Sequence, residues 1–173
     1  MEALAARAGE LRVVEVCAAL LAGEQPETFP DIAVGLSGHE STVEQLRSTG
    51  YGQDYWWRTW GGRGLLYVWS DRAAPAVVHG LGDEHWRPAE MCLKVAARRE
   101  LAEAAEGALP LAGHDLPRVR ANAVRLLGVV GDTDHVPVVR AALGDADPQV
   151  RRTSGLALER MVARLDLPGE ELP

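Results

Sequence analysis

Lysine is nearly absent from this sequence: Lys94 is the only lysine among the 18 basic residues, which stand against 25 acidic residues and give a formal net charge of −7. No segment of the chain is strongly basic. Surfaces that bind nucleic acids draw their affinity for phosphate from clustered lysine and arginine. The composition therefore argues against a broad phosphate-binding surface, and we expect no nucleic-acid partner.

Cysteines and long apolar runs are scarce as well. Cys17 and Cys92 are the only cysteines, and neither belongs to a CxxC motif, so we expect two buried free thiols without a disulfide or a metal site. No run reaches the roughly 18 apolar residues that a membrane span needs. Glu2, Glu10 and Glu15 interrupt the apolar N-terminus, which disfavours a secretory signal. These absences predict a cytoplasmic protein without a membrane partner.

A short phrase repeats in the last third of the chain. The sequence Pro-x-Val-Arg begins at Pro117 and again at Pro148, 31 residues later. A weaker match relates residues 75–83 to residues 137–145, an offset of twice 31. A fixed period of this length is typical of stacked supersecondary units, each of which leaves an apolar face for its neighbour. The period therefore predicts a repeat architecture.

Local signals place helices after both prolines. Asp147 can cap a helix that begins at Pro148, because a proline in the first helical position loses no hydrogen bond. The apolar residues that follow the prolines are Val119, Ala123, Leu126, Leu127 and Val130 in the first copy, and Val150, Leu156, Leu158 and Met161 in the second. The first set has the spacing of one buried helical face, and the second is looser.

Charged residues beside these faces predict structural ion pairs. Arg120 and Arg151 occupy the same place in the two copies, and Asp145 lies in the turn before Arg151. We expect an acid in a turn to pair with the arginine at the next helix start. Each exposed pair would stabilise the fold by roughly 0–1 kcal/mol.

At these residues the chain resembles the HEAT-repeat family, in particular the short HEAT-like repeats of the bilin-lyase type. The residues that carry the resemblance are Asp145, Asp147, Pro148, Val150 and Arg151, with Gly131-Asp132 in the preceding turn. The resemblance implies an all-α, right-handed superhelix of about five helical units. We expect a single repeat domain over residues 1–165, irregular as far as residue 82 and regular from residue 83, followed by an acidic tail at 166–173.

The N-terminal third predicts three helices. They are a helix over residues 3–22 with Leu4, Leu11, Val14, Cys17, Ala18 and Leu21 on one face, a short helix over Asp31 to Leu36, and a helix over Ser41 to Arg47. Ser41 and Glu44 have the spacing of a capping box at the start of the third helix.

Seven of the nine aromatic residues lie between Tyr51 and Trp69. If residues 54–69 form a helix, one face consists of Trp57, Trp60, Gly61, Gly64, Leu65 and Val68. Its glycines would let a neighbouring helix approach closely, at a cost of about 1 kcal/mol each relative to alanine. The alternative is a helix broken near Gly61-Gly62.

This aromatic segment, with Trp86 and Arg87, is the candidate recognition site. We expect Trp57 and Trp60 to be structural, and the residues outside their face to contact a ligand or partner: Tyr55, Trp56, Arg63, Tyr67, Trp86 and Arg87. Tryptophan, tyrosine and arginine are common anchors of protein interfaces. The alternatives are that the aromatic residues only fill space in an irregular unit, or that they line a small-molecule or catalytic pocket.

The sequence contains no phosphate loop, nucleophile elbow or Ser/His/Asp motif, so no catalytic residue is assigned. The five histidines, His39, His79, His85, His114 and His135, lie near turns and are interpreted as caps rather than metal ligands. HEAT-like hydroxylases hold iron with His-Glu pairs where this chain has Arg120 and Arg151. HEAT-like DNA glycosylases hold a base with tryptophans and an acid, which Asp54 with Trp56, Trp57 and Trp60 would imitate. We predict a non-catalytic scaffold for a protein or peptide, without cofactor or metal; the alternative is a glycosylase-like or lyase-like enzyme.

Overall fold

The structure, a computed structural model, describes residues 1–167. Eleven α-helices and short 3₁₀ turns form this part of the chain, which contains no β-strand. The helices are α1 (Glu2–Ala8), α2 (Glu10–Leu21), α3 (Pro30–Ser37), α4 (Val43–Arg47), α5 (Asp54–Gly64), α6 (Ala74–Gly80), α7 (Trp86–Arg99), α8 (Ala105–Ala108), α9 (Pro117–Val130), α10 (Val136–Ala141) and α11 (Pro148–Leu165). The all-α fold predicted from the sequence is confirmed.

The chain divides into two compact units, residues 1–95 and the residues from 96 onward. The boundary falls inside α7. The single domain expected over residues 1–165 stays a prediction. From residue 168, the expected acidic tail lies outside the described residues.

In the first unit, α5 packs against α2 through its glycines. A Cβ atom on Gly61 would lie 2.6 Å from the carbonyl oxygen of Cys17, and one on Gly64 would lie 2.4 Å from the Cys17 Sγ. Glycine is therefore required where the two backbones meet. Helix α5 runs without interruption through Gly61 and Gly62 and ends at Gly64. The predicted alternative of a break near Gly61-Gly62 is therefore wrong, and so is the expected continuation of the helix to residue 69. Burial raises the pKa of the Cys17 thiol to about 12.

The N-terminal helix differs from the expectation. Gly9, with φ of +84°, separates α1 from α2. This left-handed conformation, which glycine adopts readily, changes the direction of the chain and the face that α2 buries. Leu11, expected in the core, is 49% exposed, while Val13 and Val16 are buried.

The capping box of α4 lies one residue later than expected. The Thr42 hydroxyl accepts a hydrogen bond from the backbone N–H of Gln45 at 3.2 Å, and the Gln45 side chain accepts one from the Thr42 N–H at 2.8 Å. Ser41 and Glu44 have the same spacing, but they do not cap the helix. Two neighbouring pairs matched the motif, and α4 begins at Val43 after the second.

In the second unit, α9 and α11 pack closely against each other. A Cβ atom on Gly128 would lie only 2.5 Å from the Ala157 Cβ. Helix α11 begins at Pro148, where an Asp147 carboxylate oxygen accepts hydrogen bonds from the next two free backbone N–H groups at 2.8 and 3.2 Å. One expected core residue is misplaced: Leu156 is 59% exposed, which explains the loose spacing of the predicted face.

The acid in the turn pairs with an arginine of the preceding helix, whereas we expected it to pair with the arginine at the start of the following helix. The Asp145 carboxylate accepts two hydrogen bonds from Arg120 of the preceding long helix, both at 2.7 Å. Arg151 instead donates to the backbone carbonyls of Asp145 and Ala146 at 2.8 and 2.9 Å. An arginine at a helix start thus holds the carbonyls of its own turn, and its charge pairs with the acid of the following turn.

The same pair occurs in the first unit. Arg58 Nε and Nη2 donate to the two carboxylate oxygens of Asp83 at 2.6 and 3.0 Å. Arg58 precedes Arg120, and Asp83 precedes Asp145, by twice the 31-residue period. The hydrogen bonds of Arg120 hold the pKa of the Asp145 carboxyl below its usual range. The repeat therefore extends into the irregular N-terminal part of the chain.

Candidate functional site

The first turns of α5 and α7 bring aromatic side chains together in the first unit. We call this group the aromatic cluster; it consists of Tyr51, Tyr55, Trp56, Trp60, His85, Trp86 and Arg87. Because Trp57 faces the core and is only 2% exposed, Tyr55 and Trp56 are turned away from the α2 contact. Trp86 and Arg87 are the first two residues of α7.

A histidine holds one side of the cluster. The rings of Tyr55 and His85 stack with centroids 3.7 Å apart and planes 5° from parallel. His85 Nδ1 accepts a hydrogen bond from the backbone N–H of Arg87 at 3.2 Å. Burial lowers the pKa of His85, and the nearby Arg87 charge lowers it further. The neutral ring, which leaves Nδ1 free to accept, is therefore the form that the cluster stabilises.

The Arg87 guanidinium lies over three rings at once. Its central carbon is 4.4 Å from the ring centroid of Trp86, 4.8 Å from that of Trp56 and 5.8 Å from that of Tyr55. A cation over an aromatic face is attracted by the ring quadrupole. Within the described residues Arg87 pairs with no carboxylate. The cluster therefore presents a positive charge held by aromatic rings.

The six residues predicted to contact a partner fall into two groups. Tyr55, Trp56, Trp86 and Arg87 lie together in the aromatic cluster and are each partly exposed. Arg63 and Tyr67 instead line a shallow depression of about 310 Å³, together with Leu36 and Gly38. Arg63 donates a hydrogen bond to the Leu36 carbonyl at 2.6 Å, and Tyr67 is 65% exposed.

Two members of the cluster were not singled out from the sequence. Tyr51 is 40% exposed and contacts Trp56 and Trp60 at centroid distances of 5.3 and 6.0 Å. His85 was assigned only a turn role. Both stand beside residues that were selected, so adjacency to the aromatic segment and to Trp86 was the available signal. Trp60, expected in the core with Trp57, is buried beneath Tyr51 and meets the Trp57 ring edge-on at 4.8 Å.

The turn histidines of the second unit make capping contacts. His114 Nδ1 accepts from the Leu116 N–H at 2.9 Å, and His135 Nδ1 accepts from the Asp132 N–H at 3.1 Å. Among residues 1–167, no group of three or more histidine, cysteine, aspartate or glutamate side chains is arranged to hold a metal ion. None of the helices in this part of the chain has the length and apolar character needed to cross a membrane.

Comparison with known proteins identifies the repeats. Residues 105–169 match the family described as HEAT repeats, and a search of curated proteins gives no match. HEAT repeats generally serve as scaffolds for protein interactions. The matched residues include α9 to α11 and the Arg120–Asp145 pair. The part of the chain over residues 105–169 is thus similar to HEAT repeats.

Proposed function

We propose that this protein is a non-catalytic, cytoplasmic binding module, and that the aromatic cluster of the first unit holds its protein or peptide partner. The observation that carries the proposal is the position of Arg87 over Tyr55, Trp56 and Trp86. The few residues that dominate the binding energy of protein interfaces are enriched in tryptophan, tyrosine and arginine. Side chains already held in place lose little conformational entropy on binding.

The aromatic cluster also rests on a rigid base. Its member Trp60 is buried and meets the core residue Trp57 edge-on, and α5 is fixed to α2 by the contacts of Gly61 and Gly64. A site on a rigid helix keeps its geometry better than one on a loop. This arrangement supports a recognition role for the side chains that remain partly exposed.

The enzyme alternative has less geometric support. A glycosylase-like site would need an open space between the tryptophans and a carboxylate directed into it. Here the Arg87 guanidinium occupies the space over the rings of Trp56 and Trp86. The acid that was the candidate, Asp54, accepts a hydrogen bond from Arg47 at 3.2 Å. Both groups are therefore engaged within the chain.

The test compares partner binding by matched variants. The wild-type chain is immobilised, proteins bound from lysate of its native host are identified, and the affinity of each purified partner is measured by calorimetry. We expect Arg87→Gln and Tyr55→Ala to weaken binding by about tenfold or more, as removal of an interface anchor does. Arg72→Gln, which changes an exposed arginine of the same unit outside the cluster, is the control and should bind like wild type.

Circular dichroism and thermal unfolding of each variant separate binding from folding. If the partner binds Arg87→Gln and Tyr55→Ala as tightly as it binds the wild type, the aromatic cluster is packing and the proposal is wrong. If both variants unfold, Trp86→Phe replaces them, because it keeps a ring beneath Arg87 while removing the indole donor and part of the contact area.

A further inference from the structure

A groove of about 440 Å³ runs between α9 and α11 in the second unit, and none of the residues that line it was a candidate binding residue above. The residues that line it are Arg125, Gly128, Gln149, Arg152, Thr153, Leu156, Ala157 and Arg160. Three of these eight residues are arginines, and none is acidic.

Close packing of two helices shapes the floor of the groove. Gly128 and Ala157 are buried, and they bring α9 and α11 so near that a single added methyl group on Gly128 would collide. Larger residues stand on either side of this contact. Arg152 and Arg160 are separated by eight residues of one helix, or about 12 Å along its axis. The groove is therefore a shallow channel with charged walls on a rigid base.

This face is basic, although the chain as a whole has a net charge of −7. Helix α9 contains three arginines and no acid, and α11 contains four arginines and one acid, Glu159. Some of these arginines are engaged: Arg120 binds Asp145, and Arg164 donates to the Gly131 carbonyl. The acidic residues of the second unit lie mainly in the turns between the helices.

The three arginines that line the groove have no partner of their own. Within the described residues, Arg125, Arg152 and Arg160 make no ion pair and no side-chain hydrogen bond, and all three are exposed. Three such arginines on one face create a local positive potential that attracts an anionic ligand. Arginine is also well suited to bidentate recognition of carboxylates.

An apolar residue stands in the middle of this basic face. Leu156 is 59% exposed and lies four residues from both Arg152 and Arg160, so the three form one stripe along α11. In the preceding repeat the corresponding residue, 31 positions earlier, is Arg125. A leucine between arginines favours a ligand that carries both carboxylates and an apolar side chain.

We propose that the groove between α9 and α11 binds an acidic peptide segment of a partner protein, with carboxylates on Arg125, Arg152 and Arg160 and an apolar side chain on Leu156. Charge complementarity identifies the partner's chemistry. A nucleic acid fits less well, because an exposed leucine offers nothing to a phosphate backbone and three arginines form few phosphate contacts. This site is independent of the aromatic cluster, since it lies in the other unit.

The experiment uses the full chain and a fluorescein-labelled peptide of four glutamates around a central leucine, followed by fluorescence anisotropy. We expect saturable binding that weakens as salt rises from about 50 mM to about 150 mM. Double substitution Arg152→Gln with Arg160→Gln should weaken binding by about tenfold, and Leu156→Ser should weaken it by about threefold. A peptide with alanine in place of leucine should lose the same factor on the wild type.

Two controls locate the effect. Arg98→Gln changes an exposed arginine of the second unit outside the groove and should bind like wild type. Arg72→Gln, which changes an exposed arginine of the first unit outside the aromatic cluster, should also bind the acidic peptide like wild type. The peptide assay does not require the partner of the aromatic cluster, so failure of this inference and failure of the proposed function are distinguishable. All substituted residues of the groove are exposed, and thermal unfolding checks that each variant folds.

Several outcomes would overturn the inference. Equal peptide affinity for the wild type and the double variant would show that the groove is not the site. Displacement of the peptide by a single-stranded oligonucleotide at lower concentration than by unlabelled peptide would identify a phosphate site. Binding only after truncation at Leu167 would show that the chain's own acidic end fills the groove, and a wild-type dimer that the double variant lacks would identify a second copy.

Discussion

Helices α5 and α11 begin at corresponding points of the repeat, since Tyr55 and Pro148 are three periods of 31 residues apart, yet they pack in opposite ways. Helix α5 combines very large residues with glycines. Trp57 fills the core, and Gly61 allows the backbones of α5 and α2 to approach closely. Helix α11 buries an ordinary stripe of aliphatic and small residues, and its own Gly155 faces open space. The same repeat position therefore accommodates two different solutions to core packing.

The two solutions leave different surfaces exposed. The large side chains of α5 are aromatic, and those at the edge of the core belong to the aromatic cluster around Arg87. In α11 the buried side chains include Leu158 and Met161 and no aromatic ring, and the outer face carries charge, with Leu156 between Arg152 and Arg160. The packing of each helix thus determines which side chains remain on its surface, and substitutions in the two helices should have different consequences.

The largest expected effect is at the centre of α5. Trp57→Ala should lower the free energy of unfolding by about 3–5 kcal/mol, because a buried indole leaves a cavity that its rigid neighbours cannot fill. Urea denaturation monitored by circular dichroism measures the change. Tyr67→Ala, at a 65% exposed position, is the control and should change stability by no more than about 0.5 kcal/mol. A loss below about 1 kcal/mol for Trp57→Ala would show that α5 tolerates repacking.

Glycine-to-alanine substitutions contrast the two helices directly. Gly61→Ala should destabilise the protein by about 1–3 kcal/mol, because the added methyl group meets the Cys17 carbonyl oxygen, a backbone atom that cannot move aside easily. Gly155→Ala should stabilise it by about 1 kcal/mol, because alanine favours the helix and nothing lies within 4 Å. Melting temperatures compare both variants with the wild type. Changes of the same sign would contradict the difference in packing.

Much of the fold could be predicted from the sequence because its determinants are local. The period of 31 residues, the proline starts and the Asp147 cap each depend on a few neighbouring residues. Gly9 and Thr42 show where local rules fail. The sequence around a glycine does not determine whether its φ is positive. Two overlapping capping-box motifs, offset by one residue, give no local signal for which of them caps the helix. The orientation of the Arg120–Asp145 pair required the folded chain, because its residues are 25 positions apart.

The candidate sites were predictable only in part, for physical reasons. Helical periodicity places Arg63 on the same side of α5 as Trp56, but the buried Trp60 lies between them and separates the two surfaces. The groove of the second unit was not predicted, because the balance of basic and acidic residues was considered over continuous segments of the sequence. Arginines on the helices and acids in the turns cancel in such a count, whereas counting by helical face separates them and reveals the stripe of Arg152 and Arg160.

The next expected effect concerns the ion pairs of the regular repeats. Arg120→Ala should cost about 1–2 kcal/mol, because the Asp145 carboxylate, with 13% of its side chain exposed, loses both hydrogen bonds to the guanidinium. Arg151→Ala should cost about 1 kcal/mol or less, because it removes only hydrogen bonds to exposed carbonyls. Chemical denaturation at neutral pH measures both. A larger loss for Arg151→Ala would restore the pairing expected from the sequence.

The pH dependence of this pair has a definite sign. The pKa of Asp145 is lowered in the folded chain, mainly by Arg120, so its contribution is fully present above the unfolded carboxyl pKa of about 4. It is lost as the pH falls through the lower folded pKa. Arg120→Ala should therefore show a smaller loss of stability between neutral and strongly acidic pH than the wild type, and an unchanged acid profile would contradict the assignment.

The smallest expected effect is on the pH dependence of stability and involves His85. The residue two periods later is Asp147, which caps α11, so α11 has no corresponding histidine. Burial lowers the pKa of His85, so as the pH falls the unfolded chain, with a pKa of about 6.5, takes up the proton first. The stability due to neutral His85 is present above about pH 6.5 and decreases as the pH falls toward the folded pKa. NMR titration of the ring should give a pKa below the unfolded value of about 6.5, and His85→Gln should reduce the change in stability between neutral and mildly acidic pH. An equal or higher value for His85 would show that the Tyr55 stack and the Arg87 N–H do not favour the neutral ring.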